Sequence, residues 1–493
     1  MTAPPSNPPS AIDASCRLPL FGLFGGAAVC LALASGFGLI ASLSFHKASL
    51  FADCAMLSYG RAYPAWSHLL VYGFCVPAGL GAGLWLLARL GRVEVAKPWL
   101  IAFGAKLWNL GVLVGLIGIL AGDASGFEWF EMPRYAVIIL LAAFLIITLC
   151  AFITHYGRSR RHEEADSPSG TEARFVTSEP TLYPSQWFVV AALFWFPWIF
   201  TTAGWLLHYF QVRGVVQVAV GWWYAGNLLN VWLPLTGLAA TFYLLPKITG
   251  RPLQSQYLAL FAFLTLVVFG TWTGMPAHAP LPAWMPTLSG GASLLALVPA
   301  LAVVASAILT CRGSNVACLG GPLCYAKFGV VSFAVSSLLI ALTACPLISR
   351  VTDFTWFNHG HATLRLYGFF VMTMTGAAYY ILPRVSGIEI CANRVRANFW
   401  LFVIGTLLFT LPLVAGGVTQ GAKLLDPSIL FLDTAKPAMM AFRMSTLGEV
   451  LIAAGSGLFL FNVLAVMAAW YRSVCRQAFA NATARLETAE AQS

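Results

Sequence analysis

Two histidines, His359 and His361, stand two residues apart inside the apolar run F-N-H-G-H-A-T-L-R-L-Y-G-F-F at 357–370. Imidazole is a side chain that holds a transition metal or passes a proton near neutral pH. At the depth such a run implies, a histidine is costly to bury without a partner, so its default reading is functional. Residues i and i+2 of a helix project about 200° apart, so the two rings face different neighbours. The spacing therefore predicts two buried sites served by one helix.

The elements that must hold this helix follow from composition. Hydrophobic residues make up 59% of the 493 and charged residues 9%, with a mean hydropathy of +0.79. A soluble domain carries about a quarter charged residues, so a soluble fold is excluded and a polytopic all-α membrane protein is predicted. Apolar runs of about 20 residues number twelve, near 19–45, 65–90, 98–121, 135–155, 187–210, 215–246, 255–275, 286–311, 324–346, 357–384, 398–420 and 444–470. An even count puts both termini on one side. Lys and Arg gather in the loops after even-numbered helices, among them Arg158, Arg160, Arg161, Arg394 and Arg396, and in the tail at Arg472, Arg476 and Arg485. By the positive-inside rule both termini are then cytoplasmic, in a bacterial-type inner membrane. The net charge of +10 is explained by this topology. Dispersed over many loops, it gives no patch for nucleic acid.

Residues 1–18 read as a disordered cytoplasmic lead without a signal-peptide n-region, and 19–472 as a single twelve-helix domain in contact with membrane lipid. Residues 473–493 form a cytoplasmic tail, and the polar stretch 156–185 is a cytoplasmic loop without evident chemistry. The eleven cysteines are scattered and contain no C-x-x-C-H, which excludes covalent haem attachment on this chain. Cys311, Cys318 and Cys324 fit no common zinc spacing and read as small buried residues.

The run from Gly360 to Phe370, followed by Y-Y-I-L-P-R at 379–384, resembles helix ten of subunit I of the haem-copper oxidases, most like the cbb3-type cytochrome c oxidases and the nitric oxide reductases. Matches in the same order are G-R-A-Y-P at 60–64, G-F-E-W-F-E-M-P at 126–133, W-W-Y-A-G-N at 222–227, Y-L-L-P-K at 243–247 and L-P-A-W at 281–284. The resemblance implies a low-spin haem, a high-spin haem and a second metal held by six histidines. It also implies electron transfer in a respiratory complex with a c-type cytochrome or other subunits.

Carried over position by position, that ligand set is mostly absent. The family's helix-ten pattern places His361 as the axial ligand of the high-spin haem and Thr363 where the low-spin ligand belongs. The helix-two ligand position holds Trp66, and the first second-metal ligand position holds Gly226. A G-M-P-A-H-A-P stretch at 274–280 replaces the adjacent pair of metal histidines and leaves His278 as a remnant. At least one haem b on His361 is expected, with the copper site lost, since one imidazole does not make a copper site. His359, one turn before Thr363, and His68, two residues past Trp66, stand as displaced low-spin ligands, although the spacing turns His68 to the opposite face. Glu128 and Glu131 match carboxylates that hold a structural calcium in the family, with an ordinary solvated acidic rim as the other reading. Arg365, isolated in the apolar run, is expected to pair with a propionate or with Glu449. Two other classes stay open: a divergent scaffold or assembly protein of the same fold without redox metal, and a generic twelve-helix transporter.

Overall fold

A computed structural model describes residues 10–47, 49–51, 53–165, 182–314, 316 and 318–490, with backbone alone for 158–165 and 485–490. Among the described residues every regular element is helical. This is what the bilayer demands, because no water is present at depth to satisfy backbone N–H and C=O groups left open by another conformation.

The helices are α1 (Ala11–Leu43), α2 (Tyr59–Gly91), α3 (Pro98–Ala121), α4 (Arg134–Ala165), α5 (Pro184–Tyr209), α6 (Val215–Thr249), α7 (Gln256–Gly270), α8 (Trp284–Cys311), α9 (Pro322–Thr343), α10 (Trp356–Ser386), α11 (Ala392–Leu424) and α12 (Phe431–Glu490). Eleven are long and apolar enough to cross a membrane, whereas α7, the seventh expected span, has 15 residues. The lead is shorter than expected, since α1 begins at Ala11 under a Ser10 cap whose hydroxyl accepts from the Asp13 amide. Helix α4 carries on to Ala165, so helix takes up the start of the polar connection, and 166–181 lie outside the described residues. The tail likewise continues α12. Cys318 and Cys324 are joined as a disulfide, which corrects their reading as separate buried thiols.

Helices α2, α6 and α10 form the centre of the bundle, and the others present apolar residues such as Phe103, Ile117, Leu149 and Phe194 outward. Four of the crossing helices contain a π-helical stretch: Leu69–Cys75 in α2, Trp205–Tyr209 in α5, Leu228–Trp232 in α6 and Leu364–Val371 in α10. In α2 and α6 the stretch ends just before Pro77 and Pro234. A proline ring removes one N–H and pushes on the carbonyl four residues back, which loosens the preceding turn. Helices α11 and α12 meet through glycines, for a Cβ on Gly405 would lie 3.0 Å from the Gly448 carbonyl and one on Gly448 would lie 2.5 Å from that of Gly405. Lipid removes the hydrophobic drive between helices, so close approach of small residues supplies the packing.

Candidate functional site: the two faces of helix α10

Helix α10 starts at Thr355, whose hydroxyl accepts from the Phe357 amide, and it is clamped against α11. A Cβ at Gly360 would meet Val414 at 2.8 Å, and one at Gly417 would meet the Phe357 backbone. This clamp fixes the rotation of the first two turns and therefore where His359 and His361 point.

His359 points into a cluster of rings. Its own ring lies 5.9 Å from Tyr63, 5.6 Å from Trp66, 5.8 Å from Trp356 and 6.1 Å from Phe409. Phe45, Tyr59 and Phe442 continue the cluster toward the end of the bundle opposite the termini. At the centre, Trp66 is 3% exposed and its indole N–H donates to the Tyr367 hydroxyl at 3.0 Å. A Cβ on Gly38 of α1 would touch the same indole at 2.8 Å. Trp129, held at φ 64°, covers Trp66 with ring centroids 6.0 Å apart. A left-handed conformation at a non-glycine residue costs on the order of 1–3 kcal/mol, and here burial of the indole among aromatics offsets it. Thr363 turns its hydroxyl back on its own helix, to the carbonyls of His359 and Gly360.

His68 does not share this space. Its Nε2 lies 3.0 Å from the Val112 carbonyl on α3, and its ring packs where a side chain on Gly115 would go. The structure thus sends His68 and His359 to different neighbours and does not bring them together around one group. A half-turn separates positions 66 and 68, and the packing of α2 on α3 keeps it.

The other face of α10 carries His361 and Arg365. His361 keeps some accessible surface, and its Nδ1 is buried without a hydrogen-bond partner. Arg365, one turn on and 3% exposed, donates to Ser336 at 3.1 Å and Ser337 at 2.8 Å on α9 and lies 4.9 Å from the Phe333 ring. Its expected ion pair with Glu449 is absent, because Glu449 comes from α12 beside Ser42 of α1, on the far side of α10.

The positions matching the second-metal ligands are closed by backbone. A Cβ on Gly226 would sit 2.3 Å from the Thr273 carbonyl, and one on Gly274 (φ 110°) would sit 2.7 Å from the Gly226 Cα. Two glycines are what allow α6 and the segment after α7 to cross this closely. His278 is drawn off to the surface, where its Nδ1 meets Asp353 at 3.1 Å with nearly half the side chain exposed.

The two glutamates before α4 also part company. Glu128 is exposed, whereas Glu131 is buried, with one oxygen accepting from the Trp129 amide at 3.1 Å and the other unpartnered. Burial pushes the Glu131 carboxyl up to about 8, against the bonds it accepts from Ser67 and the backbone. Among the described residues no three His, Cys, Asp or Glu side chains gather as a metal-holding group. Sequence reasoning passed over Tyr63, Trp129 and Tyr367 as site residues. Their only signal was that each falls in or beside a matched stretch.

A bundle of twelve helices with a histidine-bearing α10 at its centre, crossed by α2 and α6, defines the haem-copper oxidase subunit I class. The chain belongs to the family described as Cytochrome C and Quinol oxidase polypeptide I, which matches residues 20–451. It is 24% identical over 408 residues to the Cbb3-type cytochrome c oxidase subunit CcoN1 of Stutzerimonas stutzeri, covering 78% of this chain and 80% of that one. It is 22% identical over 442 residues to a cytochrome c oxidase subunit 1 homolog of Agrobacterium tumefaciens, covering 82% and 75%. A heme-copper terminal oxidase dimer solved by cryo-EM shares the fold, with a TM-score of 0.73 at 13% identity over 92% of this chain and 84% of its own.

Proposed function

We propose that the chain is a haem-binding subunit of a respiratory oxidase complex, of the cbb3-like branch, that holds one b-type haem on His361 and carries neither the low-spin haem nor the second metal. The observation that carries this reading is the unpartnered Nδ1 of His361, buried inside the bundle while the ring retains accessible surface. A buried imidazole without a bond needs a partner, and iron is one that suits it. Bound there, a haem supplies one-electron chemistry. The chain's own contribution is to fix the ring through the α10–α11 clamp and to place the Arg365 cation one turn away.

The residues at the low-spin positions do not fit a haem, because Trp66 and the rings around His359 occupy that space. Those at the second-metal positions do not fit copper, because Gly226 has no side chain and the Thr273 carbonyl lies where one would begin. The reading therefore assigns the chain to electron transfer with a c-type cytochrome or another subunit as donor, in the cytoplasmic membrane with both termini inside, and without four-electron oxygen reduction.

The test is a reduced-minus-oxidised spectrum of the purified chain with metal analysis. One b-type haem per chain without copper is expected, and His361→Ala should abolish the haem. Two hexacoordinate b-haem signals would overturn the loss of the low-spin site. Absence of a Soret band would overturn haem binding and leave the scaffold reading, and haem retained in His361→Ala would move the ligand elsewhere.

A further inference from the structure

The seam between α1 and α12 contains an acid that the haem reading does not use. Glu449 lies within the membrane-crossing part of α12 and has one carboxyl oxygen buried without a hydrogen-bond partner. Among the described residues it belongs to no ion pair. An unpaired acid at this depth is expensive and defaults to a functional reading.

A file of hydroxyls leads to it from one side only. His46, exposed at the end of the bundle opposite the termini, has Nε2 3.0 Å from the Thr446 hydroxyl. That hydroxyl lies 2.6 Å from the Ser42 hydroxyl, both side chains being buried, and the Glu449 carboxyl neighbours Ser42 and stands three residues past Thr446 on the same face of α12. Deeper in, Tyr367 neighbours both Glu449 and Ser35, and Ser35 pairs with Ser456 at 2.8 Å. Beyond that pair α1 presents the buried apolar residues Leu31, Ala28, Ala27 and Phe24. The next polar pair on the seam, Asn462 with Tyr379, is six residues further along α12, more than a turn and a half away.

We propose that Glu449 is a proton-binding site inside the membrane, loaded from the end opposite the termini through His46, Thr446 and Ser42. The occupant is a proton and not a metal ion because the carboxyl has hydroxyl neighbours but lacks the six or so oxygen ligands that a hard cation collects. Each link of the file both donates and accepts, which is what moving a proton by exchange of hydrogen bonds requires. The titratable groups facing Glu449 are His46 through the hydroxyls, Tyr59 from α2 and Tyr367 from α10. Arg443, nearer the opening on α12, is exposed and spends its donors on the carbonyls of Phe45 and His46. The site does not depend on His361 holding a haem.

Infrared spectroscopy of the purified full chain in lipid nanodiscs tests this across a pH series. A carboxylic-acid C=O band that shifts in D2O and disappears in Glu449→Gln is expected. Its hydrogen–deuterium exchange should slow on the order of tenfold in Ser42→Ala and Thr446→Val, since a positioned relay group contributes at least that much to proton transfer. A band untouched by Glu449→Gln, or its absence at every pH, overturns the site, and exchange unchanged in the relay variants overturns the route. Loss of the band on adding sodium or potassium chloride at constant pH would make it a metal-cation site and overturn the proton assignment. If Glu449→Gln does not assemble, Glu449→Asp serves, and the band must then move.

Discussion

The two regions that the resemblance sets against the haem and second-metal ligand positions are closed by opposite means. Around His359, side chains from α2, α10, α11, α12 and the turn after α1 fill the space, and Trp66 locks the cluster by bonding to Tyr367. At Gly226 no side chain is present, and the backbone of 273–274 moves in until two glycines face each other. A volume can thus be closed by bulk or by subtraction. The two solutions respond differently to mutation, because bulk leaves a void when removed whereas subtraction leaves a clash when side chains are restored.

The comparison breaks or sharpens on three measurements. Trp66→Ala should be the most damaging, by about 3–5 kcal/mol of unfolding free energy as for other buried Trp or Phe truncations, read from thermal unfolding in detergent. A loss below about 1 kcal/mol would mean that the cluster is loosely packed and that the low-spin volume is open. Gly226→Ala should cost about 1–3 kcal/mol through overpacking against the Thr273 carbonyl. An unaffected variant would show that α6 can move off that segment, so the second-metal position would not be closed. The third measurement is a pH dependence at the lid of the aromatic cluster. The folded-state carboxyl of Glu131 is raised from 4.5 to about 8, so the folded state holds the proton more tightly than the unfolded one. Its contribution is fully present below about pH 4.5, falls as pH rises toward about 8 and is flat above. Glu131→Gln should remove that slope, and a slope that persists would assign it to another group.

Most of the fold was legible because the bilayer sets the length of an apolar run, and eleven of twelve runs satisfied it. Of the site, the residue identities at 66, 226, 361 and 363 could be read from motifs, but what those residues do in space could not. Trp66 and Tyr367 are 301 residues apart, and no local pattern announces an indole–phenol bond. The Gly226–Gly274 crossing depends on a backbone approach that leaves no trace in hydropathy. Arg365 was expected to pair with a propionate or with Glu449; its guanidinium bonds to two serines on α9, while Glu449 lies beside Ser42 of α1. His68 lies a half-turn from Trp66 because its stretch of α2 is regular up to that residue.

Helix α7 has a consequence for the lipid around it. Fifteen residues rise about 22 Å, while the hydrocarbon layer is about 30 Å thick. Beside α7, between α5, α6 and α8, lies an apolar cleft of about 510 Å³ lined by Trp223, Trp272 and Trp284, residues that favour the headgroup level. The shortfall of about 8 Å along this edge is a hydrophobic mismatch, and it adjoins the apolar cleft.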